Sequence, residues 1–228
     1  MLIGSRNGFA VKSKQKWQNP YVTDGLIAMW DGEWNAGTGI NNPNATDWKA
    51  VIGENVYGQG TGILYDQQNH YYDLNKIGQS DAARFILNQT FDAQVGTFEV
   101  VINGTYSNGN YKNIMLTDKY TPIFKCSTSQ LHFYGFNSSS TFTNLALNQT
   151  HYVATTSHNS YQRDCYINGA FLKSLGGSSV LVDWISLPAV TANSVSCKIY
   201  ALRLYSRALT ADEIAANYDV DKIRFNLP

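Results

Sequence analysis

I-Y-A-L-R-L-Y-S-R-A-L-T-A-D-E-I-A-A-N-Y, residues 199–218, is the stretch on which the reading of this chain turns. Ile199 to Tyr205 are β-branched, aliphatic and aromatic, and they run into Ser206-Arg207-Ala208-Leu209 without Gly or Pro, which predicts a strand delivered to a helix. Thr210 stands at an N-cap with Glu213 three residues on, so hydroxyl and carboxylate can each satisfy the other's backbone N–H in a capping box. Leu209 before the cap and Ile214 after it form a hydrophobic staple that sets the angle at which the chain joins the helix. Ile214, Ala215 and Tyr218 share one helical face, and Asp219 and Asp221 are expected to end the apolar pattern. A helix this short packs on a sheet and forms no core alone.

Outward from this segment the chain has the habit of an all-β protein. It has 228 residues, 43% hydrophobic and only 15% charged, with 15 Tyr, 10 Phe and 5 Trp, enough for one substantial sandwich core. Gly25-Leu26-Ile27-Ala28-Met29-Trp30-Asp31-Gly32 is a short apolar run between turn residues, as a buried strand requires. Tyr57 to Asp73 alternates Gly with aromatic and polar residues, the pattern of twisted strands with bulges. Phe85-Ile86-Leu87, Gly96 to Ile102, Ile114-Met115-Leu116, Ile123 to Cys126 and Leu131 to Gly135 follow as strands at a regular cadence. Tyr152 to Thr156 and Cys165 to Ile167 pair through a polar hairpin, and Asn168-Gly169 is the strongest hairpin signal in the chain. Residues 1–20 are polar and basic without periodicity, an extended N-terminal arm ahead of a domain spanning residues 21–228.

Several of these stretches share a resemblance. Ile199 to Ile214 resembles the closing segment of LamG-like jelly-roll domains in the concanavalin A-like lectin/glucanase group, of the form I-D-E-V-R-I-Y-N-R-A-L followed by S-x-x-E-I. Gly25 to Trp30 is similar to the G-L-I/V-A-x-W opening strand of that family, and His151-Tyr152-Val153-Ala154 with Asn168-Gly169 to its H-V-A…N-G hairpin. Tyr200 and Ala201 replace the usual acidic pair, and Ala50 stands where an Asp is usual, so no role of those residues carries over. The resemblance spans roughly Gly25 to Asn217. It implies an antiparallel β-sandwich jelly roll, concanavalin A-like, with one short C-terminal helix. The opening G-L-I-A-M-W-D-G-E-W-N-A-G also resembles LamG-like domains of phage and prophage structural proteins and of gut-bacterial surface proteins.

Charge and motifs narrow the function classes. The formal net charge is zero, which argues against nucleic acid as a partner. No run is apolar enough to insert into a membrane, and the N-terminus lacks the pattern of an export signal, predicting synthesis in a host cytoplasm. Cys126, Cys165 and Cys197 are far apart and read as buried free thiols. Glycosidases of this group set paired carboxylates on one strand, as E-x-D-x-E, and Glu33, Glu54, Glu99 and Glu213 show no such spacing. The chain is therefore expected not to be an enzyme, and no catalytic residue is assigned. No cofactor or metal site is assigned either. Calcium is left open, with Asp24, Asp31, Asp66 and Asp73 as oxygen donors in or near loops.

Sugar recognition needs flat aromatic faces for C–H surfaces and amides at the rim for hydroxyls. The candidate carbohydrate-binding residues are Trp34 with Asn41 and Asn42, Tyr57, Tyr106 with Asn108, Asn110 and Tyr111, and Tyr134 with Asn137. The competing reading of each cluster is a core aromatic beside a turn-forming Asn. The expectation is a recognition or structural module on the surface of a bacteriophage virion, as fibre, tail or capsid decoration. Its arm would dock on other virion proteins, its loops would face host glycans, and homo-oligomers fit the class. The alternatives are a carbohydrate-binding module of a bacterial surface protein and a glycoside hydrolase on the same fold.

Overall fold

The computed structural model describes residues 19–33, 47–53, 57–59, 64–66, 68–73, 83–92, 95–105, 112–117, 122–126, 130–134, 140–144, 149–159, 162–176, 181–187 and 196–228. Within them lie two antiparallel sheets of eight strands each and one helix, an all-β sandwich as the sequence predicts. The first sheet contains β1 (Leu26–Asp31), β4 (Leu64–Asp66), β5 (Tyr71–Asp73), β7 (Thr97–Thr105), β12 (His151–Asn159), β13 (Gln162–Ile167), β14 (Ala170–Gly176) and β16 (Ser196–Tyr205). Their order is β14-β13-β12-β7-β16-β5-β4, with β1 also on β16. The second sheet contains β2 (Asp47–Lys49), β3 (Tyr57–Gln59), β6 (Ala83–Asp92), β8 (Lys112–Thr117), β9 (Pro122–Cys126), β10 (Gln130–Tyr134), β11 (Ser140–Asn144) and β15 (Leu181–Leu187), ordered β11-β10-β9-β8-β15-β6-β3-β2.

Strand register decides which side chains share a face, because residues directly opposite in a ladder point the same way. Arg203 of β16 lies opposite both Glu99 of β7 and Met29 of β1, and Glu99 lies opposite Ala154 of β12. One row down, Ala201 sits between Val101 and Asp31, and Val101 faces Tyr152. These rows form one face of the first sheet. Phe98, Val100, Leu202, Leu204, Trp30 and Val153 form the other, turned toward the second sheet and equally buried. A sheet buried on both faces needs a cover on its outer side, and the helix α1 (Ala211–Phe225) supplies it.

The helix begins as its sequence dictates. Thr210 Oγ1 accepts from Glu213 N at 3.2 Å, and Glu213 Oε2 accepts from Thr210 N at 2.9 Å, completing the capping box. Leu209 and Ile214 are both fully buried and pack with Val101, Tyr152, Tyr205 and Tyr218. The expected early end does not occur. The helix continues for 15 residues, with Asp221 completely buried on its inner face. Ile214, Asn217, Tyr218, Asp221, Arg224 and Phe225 recur at helical spacing, so the stripe simply turns polar past Tyr218. Asn168 (φ 48°) and Gly169 (φ 75°) close the β13–β14 hairpin, as their sequence predicts.

Candidate functional site

A cleft of about 300 Å³ opens where β1, the β4–β5 turn and the end of α1 meet. Its floor owes its shape to β16. The upper half of that strand, Ala201 to Tyr205, pairs with β1, and the lower half, Lys198 and Ile199, pairs with β5, so Tyr200 sits at the junction of two short neighbours. A register shift against β7 falls between Ile199 and Ala201, and a bulge there turns the intervening side chain out of the ladder. Tyr200 packs against Tyr71 and Phe225, at centroid separations of 5.3 and 5.6 Å.

The rim comes from three connections. Gly32 N donates to Tyr200 O at 2.8 Å, and a Cβ on Gly32 would lie 2.0 Å from the His70 carbonyl oxygen. Only glycine lets β1 end so close to the β4–β5 turn, which sets Glu33 opposite Asn69 and His70 across the cleft. Asp66 shapes that turn by accepting Gln68 N at 3.0 Å, Asn69 N at 2.9 Å and Asn69 Nδ2 at 3.1 Å. Desolvation opposes ionisation of Asp66, but the donors on Asn69, with Tyr71 and Gln68, hold its carboxyl below the usual range. The last turn of α1 adds Arg224 and Phe225, followed by Asn226, whose left-handed conformation (φ 50°) ends the helix.

Behind the cleft lies a buried ionic network joining helix to sheet. Arg203 Nε donates to Glu99 Oε2 at 2.6 Å, and both terminal nitrogens of Arg203 donate to the Asp221 carboxylate. Glu99 Oε1 also accepts from Tyr152 OH at 2.6 Å and Asn217 Nδ2 at 2.9 Å, while Tyr21 OH donates to Asp221 Oδ1. Burial pulls the Arg203 guanidinium toward neutrality, but Asp221 and its other anionic neighbours outweigh this and hold it firmly protonated. Burial raises the Asp221 carboxyl above its ordinary value, with Arg203 opposing. Burial likewise keeps Tyr21, Tyr152 and Tyr205 protonated, the first two as donors to Asp221 and Glu99 and the third as acceptor from Asn217 Nδ2 at 2.9 Å. Arg224 extends the network outward, with two 2.8 Å bonds to Asp31 and bonds of 2.8 and 3.2 Å to Glu33.

Elsewhere, Asp164 accepts from Ser174 Oγ at 2.5 Å and Gln162 Nε2 at 3.1 Å, with His158 Nε2 at 2.9 Å. Serine and histidine meet at the carboxylate rather than at each other, so this cluster orients Asp164 and does not activate a hydroxyl. Of the four aspartates considered for calcium, Asp24 pairs with Arg207 at 2.7 Å, Asp31 with Arg224, and Asp66 binds its own turn. The side chain of Asp73 lies outside the described residues. Among those residues no three His, Cys, Asp or Glu side chains converge on a metal position, and no helix is long and apolar enough to cross a membrane.

The side chains expected from sequence to contact sugar are not among the described ones. Tyr57 opens β3 and Tyr134 closes β10, but their side chains, together with Trp34, Asn41, Asn42, Tyr106, Asn108, Asn110, Tyr111 and Asn137, lie outside the described residues. The cleft residues Glu33, Asn69, Tyr200, Arg224, Phe225 and Asn226 were not foreseen. The available signals were the Asp66-to-Asn69 turn and the cation and amide three to five residues beyond Asp221, masked by the expectation that the helix stops there.

No protein-family model and no curated protein matches the sequence. Solved structures do. Trypanosoma rangeli sialidase in complex with sialic acid superposes with a TM-score of 0.67 at 16% identity, covering 90% of this chain and 34% of the sialidase. The binding domain of botulinum neurotoxin serotype D gives 0.66 at 15% identity over 88% of this chain and 53% of its own, and that of serotype G gives 0.60 at 14% over 76% and 48%. The chain thus spans about a third of the sialidase and about half of the toxin domains. At such identities the likeness establishes the β-sandwich fold. It also corrects the expectation that the chain is not an enzyme, because sialidases stand among its structural neighbours. The physical fault in that expectation is visible here: Glu99 and Asp221 share Arg203, and Asp31 and Glu33 share Arg224, so the fold gathers carboxylates that single-strand spacing cannot reveal.

Proposed function

We propose that this chain is a carbohydrate-recognition domain that presents its sugar site in the cleft at the end of α1. One observation carries the reading: an apolar wall of Tyr200 and Phe225 shares the cleft with one carboxylate, one guanidinium, one imidazole and two amides. Sugars need apolar surface for their C–H faces and mixed donors and acceptors for their hydroxyls, and few other small ligands need both. The structural neighbours support it, since one is a sialidase in complex with sialic acid and others are toxin binding domains. Retention of the chain on a glycan array, competed by free sugar, is the expected result. No retention on any glycan at millimolar competitor-free conditions overturns the reading.

The finer placement is a LamG-like domain on a bacteriophage particle, docked through residues 1–20. The LamG-like reading rests on the resemblance of Gly25 to Trp30 and Ile199 to Ile214 to that family, and the phage placement on the resemblance of the opening G-L-I-A-M-W-D-G-E-W-N-A-G, residues 25–37. Residues 1–18 lie outside the described residues. Mass spectrometry of purified particles tests the placement, which falls if the chain is absent from them.

A further inference from the structure

We propose that the cleft takes a single neutral sugar and turns away acidic ones; this rests on the carbohydrate reading above and specifies its ligand. The argument starts from the donors of Arg224. A guanidinium has five N–H groups. One on Nε goes to Glu33 at 3.2 Å, two on one terminal nitrogen go to Tyr21 OH and to Asp31 Oδ2 at 2.8 Å, and two on the other go to Asp31 and Glu33, each at 2.8 Å. All five are engaged. The Arg224 guanidinium therefore has no N–H to offer an incoming carboxylate, and it is already flanked by two anions.

Beside the His70 ring and the Asn226 amide, what the rim offers is chiefly acceptor capacity. Glu33, with its side chain 43% exposed, lines the cleft and bonds Arg224 through Oε2, so its second oxygen, Oε1, is not used by Arg224. Asn69 anchors its Nδ2 on Asp66, leaving its carbonyl oxygen, and Asn226 presents a whole amide. A hydroxyl can donate to each of these. A carboxylate can only accept and would meet like charge at Glu33. The volume of about 300 Å³ sits at the small end of ligand pockets and matches one ring rather than an extended chain.

The test is saturation-transfer NMR and titration of the full chain with neutral methyl hexosides and with N-acetylneuraminic acid. Wild type is expected to bind a neutral sugar and not the acidic one. Glu33→Ala should weaken neutral binding roughly tenfold or more. The same variant releases two Arg224 donors, so it should gain affinity for the acidic sugar. Asn69→Ala, with an unchanged melting temperature, should weaken neutral binding without that gain. Preference of wild type for the acidic sugar overturns the inference. So does neutral binding that both variants leave intact, an outcome under which glycan recognition itself stands. Failure to bind any sugar, with the array also blank, removes both.

Discussion

Arg203 and Asp221 meet with no exposure of either side chain, one contributed by the central strand β16 and the other by α1. Desolvating two charges is costly, and the cost is offset here because Glu99 accepts from Arg203 and Tyr21 donates to Asp221, while Tyr152 and Asn217 satisfy Glu99 in turn. Removing one partner leaves the other buried and uncompensated. Asp221→Ala is therefore expected to destabilise the fold by about 3–5 kcal/mol in urea unfolding; a change below about 1 kcal/mol would show that the ion pair holds nothing together. Cys165 makes a second prediction at this scale. It is fully buried in β13, and burial pushes its thiol up to about 12. Thiolate is the reactive form, so Cys165 should resist alkylation in the native protein and react fully in guanidinium, as peptide mapping of the alkylated site would read. The sequence foresaw this buried thiol from its lack of a metal or disulfide spacing. It did not foresee the buried carboxylate, because charge in a sequence reads as solvent-facing until a partner from elsewhere in the chain is known.

The helix α1 is the element on which the site depends, and its start and its end are determined differently. At the start, Glu213 accepts from Thr210 N and pairs with Arg207 at 2.6 and 2.8 Å. The Arg207 bonds, assisted by the Thr210 N–H, bring its carboxyl from the ordinary 4.5 to about 2. A depressed folded-state value contributes stability that is full above pH 4.5 and is lost as pH falls toward 2. The melting temperature of wild type should accordingly exceed that of Glu213→Gln at neutral pH and converge on it between those limits. A constant difference down to pH 2 would contradict the assignment. The capping box and the staple of this start were legible locally, since cap, N3 partner and staple lie within six residues, whereas the Arg207 pair was not read from the sequence. The end was not. Asp221 and Arg224 continue the inner stripe only because Arg203 and Asp31 wait on the sheet to receive them.

For the whole molecule, α1 closes a sheet that would otherwise expose Val101, Tyr152, Ala201 and Tyr205 beside Glu99 and Arg203. Burying Leu209, Ile214 and Leu227 contributes roughly 1.5–3 kcal/mol for each. That sum approaches the total of about 5–15 kcal/mol by which a domain is stable. A chain ending at Arg207 is thus expected to lose its cooperative urea transition and bind a hydrophobic dye; a native-like transition at the wild-type midpoint would show that the sandwich stands without its cover. The sequence alone determined the all-β class, the principal strands, the Asn168-Gly169 turn and the capped helix start, because alternation, turn chemistry and capping act between residues close in the chain. Only the tertiary structure decided the length of α1, the burial of Asp221 and the place of the cleft. Glu33, Asn69, Tyr200 and Arg224 come from four separate segments, and strand register and helix docking alone set the distances between them.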